Sequence, residues 1–197
     1  MPCREGETSV FWIETDQELA DAVASWDNCV GLDTEFIRTD TFYPIPGLYQ
    51  VASADQVFLI DPLTIEDWQP FSTFLMDPKT LIVMHACQED LEMLNHHLKV
   101  QPTSVVDTQF AHAFTEVDYS LSYANLVRRT IGVDLHKQET RSNWLQRPLS
   151  EEQLTYAADD VIYLVPVYQA LRERMLGAGR LSWFEEDMSI RGRYEEP

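Results

Sequence analysis

VGLDTEFIRTD, residues 30–40, opens as a buried strand and then carries two carboxylates where a core belongs. Side chains two apart in a strand share a face, so Asp33 and Glu35 lie together while Val30, Leu32, Thr34 and Phe36 take the other side. Partly desolvated like charges raise each other's pKa and oppose folding unless something positive lies between them. A divalent cation meets that need. An isolated pair of this kind is more often an edge strand with one wet face, so its meaning rests on partners elsewhere in the chain.

At 197 residues and 45% hydrophobic content, the chain is long and apolar enough to bury one real core. The central apolar run LIVMHAC, 81–87, is far short of the roughly 20 residues of a membrane span, and MPCREGETSV has no signal-peptide pattern. Both features fit a soluble, cytoplasmic protein without a membrane partner. Cys3, Cys29 and Cys87 form no C-x-x-C arrangement, which argues against a disulfide framework or a zinc site, and Cys29 and Cys87 read as small core residues. The excess of 33 acids over 14 bases, a net charge of −19, argues against gripping nucleic acid by a broad basic surface. The bases nevertheless cluster: Arg128, Arg129, Lys137, Arg141 and Arg147 face only Asp134 and Glu139 within one segment. Such a cluster suits phosphates, and equally suits a solvated helix-and-loop face.

The early chain reads as strands at 9–13, 29–37, 47–53 and 56–61, spaced closely enough to suggest antiparallel pairing. A helix is expected between the first two, since Thr15-x-x-Glu18 forms a capping box ahead of Leu19, Val23 and Trp26. From residue 62 helix and strand alternate: a helix near 66–76, a strand at 81–84, a helix over 88–99 and a short strand at 104–107. Alternation implies parallel strands with helical crossovers. The second half ends in one long amphipathic helix from the capping box Ser150-x-x-Gln153 through Leu171, and the stretch from 178 looks less regular. The fold class is therefore α/β, a mixed sheet of antiparallel then parallel strands flanked by helices.

Two further acids fall where α/β sheets gather sites, on elements following strands. Asp90 begins the helix after His85, a position the helix dipole alone would favour. In YAADDVIYL, Tyr156 and Asp160 stand four apart on one helix face, beside Ala157, Val161 and Leu164, where an unpaired carboxylate is costly.

Taken in order, D-x-E, H-x-x-x-E-D-L and Y-A-x-x-D-V resemble the three motifs of the DEDD superfamily of 3′-5′ exonucleases. Tyr156, with Thr at 155 rather than His, resembles the tyrosine type. DTEF, HACQEDLE, ETRSNWLQRPL and YAADDVIYLVPVY are further similar to the ribonuclease D family, from about residue 10 to about 187. The resemblance implies a ribonuclease-H-like fold, an exonuclease domain over 1–177, and over 178–197 a tail or the start of a helical helper domain. It implies two Mg²⁺ or Mn²⁺ ions, one on Asp33, Glu35 and Asp160 and a second shared by Asp33 and supported by Asp90, with no small-molecule cofactor. Two such ions clamp an in-line phosphoryl displacement, and oxygen ligands suit Mg²⁺ or Mn²⁺ rather than zinc. An unperturbed phenol, with a pKa of about 10, is a poor base, so Tyr156 is expected to orient the attacking water.

The implied substrate is single-stranded or 3′-overhanging RNA, in tRNA 3′ processing or RNA turnover, with nucleoside 5′-monophosphates released from the 3′ end. The backbone at Thr34, Glu35 and the ring of Phe36 would hold the terminal nucleotide, with Phe36 as core residue the alternative. Gln50 and His85 are placed on the same cleft. Arg141 would meet the incoming strand, and Trp144 would either stack on a base or belong to the core. Two other readings share these motifs: a DNA exonuclease, because a metal clamp reads phosphates while the 2′-hydroxyl distinguishes RNA, and a catalytically silent RNA-binding module.

Overall fold

The computed structural model describes residues 8–38, 41–115, 120–135 and 142–194. Its strands are β1 (Ser9–Ile13), β2 (Cys29–Ile37), β3 (Ile45–Ser53), β4 (Gln56–Ile60), β5 (Leu81–Met84) and β6 (Val105–Asp107). Its helices are α1 (Asp16–Ser25), α2 (Gln69–Met76), α3 (Gln88–Leu98), α4 (Thr108–Ala113), α5 (Tyr123–Ile131), α6 (Glu151–Ile162), α7 (Leu164–Gly177) and α8 (Leu181–Arg191). The strands form one sheet in the order β1-β4-β3-β2-β5-β6. β2, β3 and β4 pair antiparallel, and β5 and β6 extend the sheet in parallel from β2, which is the mixed architecture expected from the sequence.

β1 departs from that expectation, because it pairs with β4 in parallel rather than antiparallel. The α1 crossover carries the chain from the sheet edge to its centre, and the β2-β3-β4 meander then returns beside β1 running the same way. Both capping boxes form, Thr15 with Glu18 and Ser150 with Gln153, so each helix start has its exposed N–H groups satisfied by side chains. The long helix expected after Ser150 is interrupted at Tyr163. Pro166 explains the break: it has no N–H to offer the Ile162 carbonyl and its ring crowds that group, so one helix becomes two. The stretch after 178 is more ordered than its sequence suggests. α8 buries Leu181, Phe184 and Met188, with Phe184 edge-on to Phe114.

The sheet centre is covered on both faces. Leu32, Leu48, Val51, Ile82 and Val83 are essentially inaccessible to solvent, and burying side chains of this size contributes about 1.5–3 kcal/mol each. α6 and α7 lie so close over β2 that a Cβ on Gly31 would fall 2.7 Å from the Val161 carbonyl oxygen. Gly31 is thus the residue that lets the last motif helix settle onto the strand of the first. Among the described residues, no helix is long and apolar enough to cross a membrane.

Candidate active site

Asp33 and Glu35 leave β2 on the face that α6 covers, and Asp160 descends from α6 to meet them. Each of the three offers a carboxylate oxygen, and those oxygens lie within 4.8 Å of one another. All three residues are only partly buried, as a site that must admit solvent requires. A slip in register between Glu35 and Phe36 leaves Gly47 as the extra residue on β3, interrupting the ladder just past the acids before it resumes at Phe36 and Pro46. Such bulges redirect side chains beside active sites.

Asp90 approaches from the first turn of α3 and is buried. The Thr34 hydroxyl, on the opposite strand face from Asp33, donates to Asp90 Oδ1. Thr34 is itself buried, so its side chain is occupied by this bond and only its backbone is left for a nucleotide. Tyr156, one turn before Asp160, donates its hydroxyl to that carboxylate.

Burial pushes every carboxyl here upward, and the charges of neighbouring acids add to it. Glu35 rises to about 8, first by burial and then by Asp160 and Asp90. Asp160 rises to about 7 through burial, against the Tyr156 hydrogen bond that favours its charge. Asp90 rises to about 6 through burial, against the Thr34 hydrogen bond. Asp33 lies well above its usual range through burial and the charges of Asp90, Asp160 and Glu35. Burial, Asp160 and Glu35 also raise the Tyr156 phenol, so it is a proton donor in a hydrogen bond rather than a base. An all-oxygen donor set held together against its own repulsion has the chemistry of a hard divalent cation site.

The remaining expected residues separate. Gln50 stands directly across the ladder from Asp33 but is 0% exposed, so it is not a surface a substrate can touch. His85 is also turned inward, with Nδ1 2.9 Å from the Thr108 hydroxyl and Nε2 3.2 Å from the Leu121 carbonyl oxygen. Phe36 is half-buried against the core beside the bulge. Trp144 is a core residue: its Cβ crowds Gly47, and its ring centre lies 6.1 Å from that of Tyr156. Arg141 lies outside the described residues.

Arg147 leaves the group of candidate phosphate contacts. Its Nε and Nη2 donate to Asp61 Oδ2 and Oδ1 at 2.7 and 2.6 Å, and it also donates to the carbonyls of Gly47, Trp144 and Gln146 at 2.8 Å each. It fastens the segment ahead of α6 to the sheet. Sequence reading also passed over Tyr123, at the start of α5, a buried phenol raised first by burial and next by Asp160 and Asp33. A single aromatic at a helix start carries no sequence signal of that placement.

A sheet that gathers four acids and a tyrosine in this order defines a nuclease domain, and the comparisons agree. The 3′-5′ exonuclease family model matches residues 10–176, and the chain belongs to that family. Within it, the chain is similar to ribonuclease D: it is 46% identical over 180 residues to the enzyme of Pseudomonas paraeruginosa, covering 90% of this chain and 48% of that one. The crystal structure of Escherichia coli RNase D superposes with a TM-score of 0.86 at 38% identity, covering 94% of this chain and 51% of that one. The EXO domain of Aedes aegypti Nibbler shares the fold at 22% identity, with a TM-score of 0.77 over 92% of this chain and 98% of that domain. The chain spans about half the length of the ribonuclease D relatives it matches.

Proposed function

We propose that this chain is a divalent-cation-dependent 3′-5′ exoribonuclease that shortens single-stranded or 3′-overhanging RNA, releasing nucleoside 5′-monophosphates. The observation that carries this reading is the convergence of Asp33, Glu35 and Asp160 within 4.8 Å. Asp33, Glu35 and Asp160 would hold one Mg²⁺ or Mn²⁺ and Asp33 with Asp90 a second, and these ions, when bound, supply positive charge to the scissile phosphate and acidify water. The reaction is an in-line displacement at phosphorus. A water oxygen forms the new P–O bond, the P–O3′ bond breaks, and the shortened chain keeps a 3′-hydroxyl.

The chain's own groups position the reactants. The Tyr156 hydroxyl, fixed by Asp160, orients the attacking water. The backbone at Thr34 and the ring of Phe36 hold the last nucleotide. Because the chain carries a net charge of −19, attraction for RNA is local to the loaded site rather than spread over a basic surface. RNA rather than DNA is favoured by the relatives: they are named ribonuclease D, and the Escherichia coli protein is described as an exoribonuclease involved in structured RNA processing. The natural role is placed in cytoplasmic RNA turnover or the trimming of tRNA 3′ ends.

The test uses matched 5′-labelled RNA and DNA oligomers with Mg²⁺, Mn²⁺ or EDTA. Stepwise shortening of RNA with either ion, slower shortening of DNA and none in EDTA is expected. Intact RNA under both ions, or RNA binding that survives EDTA unchanged, would overturn the reading.

A further inference from the structure

Among the described residues expected at the cleft, Gln50 has a side chain whose polar atoms have no visible employment. It sits in the middle of β3, 0% exposed, and neither its carboxamide oxygen nor its nitrogen has a hydrogen-bond partner among the described residues. A buried amide without partners opposes folding, and an apolar residue of the same shape would avoid that cost. Leu48 and Ala52, two places to either side on the same face of β3, are apolar and buried, as packing alone would demand.

Its place in the ladder suggests what the amide is for. Gln50 pairs directly with Asp33 across the antiparallel β2-β3 ladder. Directly opposed residues point to the same face, with Cβ atoms about 4.5–5.5 Å apart. On that shared face α6 lies close over the sheet, so Gln50 is covered while Asp33 keeps part of its surface open. Around Asp33 stand the acids Glu35 and Asp160, whose carboxylate oxygens lie within 4.8 Å of its own, so a neutral donor from the neighbouring strand suits it. A carboxamide N–H is the neutral donor that can serve a carboxylate there without competing with a cation as a charge would.

We propose that Gln50 is a positioning residue for Asp33: its carboxamide donates through one bridging water to an Asp33 carboxylate oxygen, fixing the carboxylate for metal binding. Gln50 touches neither substrate nor cation. Outer partners of this kind orient ligands, and losing one typically weakens metal affinity by about 10–100-fold. The inference rests on the cation site proposed above, and it replaces the substrate contact expected of Gln50 from sequence.

The test measures Mn²⁺ affinity by electron paramagnetic resonance of the free ion, without RNA, alongside thermal unfolding of the metal-free protein. Wild type is compared with Gln50→Met and Gln50→Leu, two apolar shapes, so that one failing to fold leaves the other to be read. The expected result is a melting temperature equal to or above wild type, together with Mn²⁺ binding weaker by about tenfold or more. Unchanged Mn²⁺ affinity in a folded variant would overturn the proposal, because a core filler would give that result. Weakening that appears only with a matching loss of melting temperature in both variants would also overturn it. Wild type that binds no Mn²⁺ would instead refute the cation site itself.

Discussion

Gly31→Ala joins fold and site in one methyl group. A Cβ at this position would lie 2.7 Å from the Val161 carbonyl oxygen and 3.1 and 3.2 Å from Leu164 Cβ and Cδ1. Comfortable C···O separations begin at about 3.3 Å, so the backbone of α6 must withdraw by roughly 0.6 Å or β2 must bend. The nearest partner cannot simply swing aside, because Val161 O is helix backbone at the close of α6, and Leu164 Cβ is fixed to the backbone at the start of α7, leaving only Leu164 Cδ1 free to rotate away. Overpacking of this kind costs about 1–3 kcal/mol, offset by roughly 0.4–1 kcal/mol from the stiffer unfolded chain. A net loss of about 1–2 kcal/mol lowers the melting temperature of a chain this size by roughly 2–8 °C. Asp160 immediately precedes Val161, so it retreats from Asp33 and Glu35 with the helix. Misplacement approaching 1 Å costs about 100-fold in rate, and Mn²⁺ affinity should fall with it. Urea unfolding, Mn²⁺ titration and RNA turnover read the three effects. Gly177→Ala is the control: its Cβ meets nothing within 4 Å and it ends a helix, so stability should hold or rise. Gly31→Ala with wild-type stability and Mn²⁺ affinity would refute the claim that this glycine sets the approach of α6.

Arg147→Ala should destabilise the protein by about 3–5 kcal/mol, because it strands the buried Asp61 carboxylate. Urea unfolding checks this, and Arg147→Met with Asp61→Leu should recover most of the loss. Tyr156→Phe removes a hydrogen bond to a charged group worth about 1.5–3 kcal/mol. RNA turnover should therefore fall by roughly 10–150-fold; an unaltered rate would remove the role given to the hydroxyl. The metal-free protein should lose stability as pH rises. Glu35, Asp160 and Asp90 hold folded pKa values of about 8, 7 and 6, above the unfolded values near 4. Their contribution is full below about pH 4 and is lost as pH climbs through 6 to 8. Melting curves from pH 5 to 8.5 should fall in EDTA, flatten in saturating Mg²⁺, and fall less for Glu35→Gln.

Strand and helix periodicity fixed which acids share a face, and the resemblance to the exonuclease motifs joined those faces and Asp90 into one site. Asp33 and Glu35 had to share one side of β2, and Tyr156 and Asp160 one side of α6. That the two faces meet depends on Gly31, and no local pattern distinguishes a glycine needed for close approach from one in a turn. β1 was misread because strand spacing constrains neighbours in sequence, whereas its partner β4 is set by the return of the meander. Gln50 lies on a strand and His85 just past the end of β5, but burial depends on what covers them, which for Gln50 is α6, about a hundred residues away. Arg147 looked like a surface base because its partner Asp61 is 86 positions distant in the chain. Trp144 declared only that it is large and apolar, which suited the core and a stacking surface alike.

The most direct measurement pairs Mn²⁺ titration with degradation of a 5′-labelled single-stranded RNA for wild type and Asp33→Asn, both verified as folded by circular dichroism. Wild type is expected to bind Mn²⁺ and shorten the RNA one nucleotide at a time from its 3′ end, and Asp33→Asn to keep the fold and lose both. Undiminished turnover by Asp33→Asn in a clean preparation would contradict the assignment of these carboxylates as the centre of the reaction.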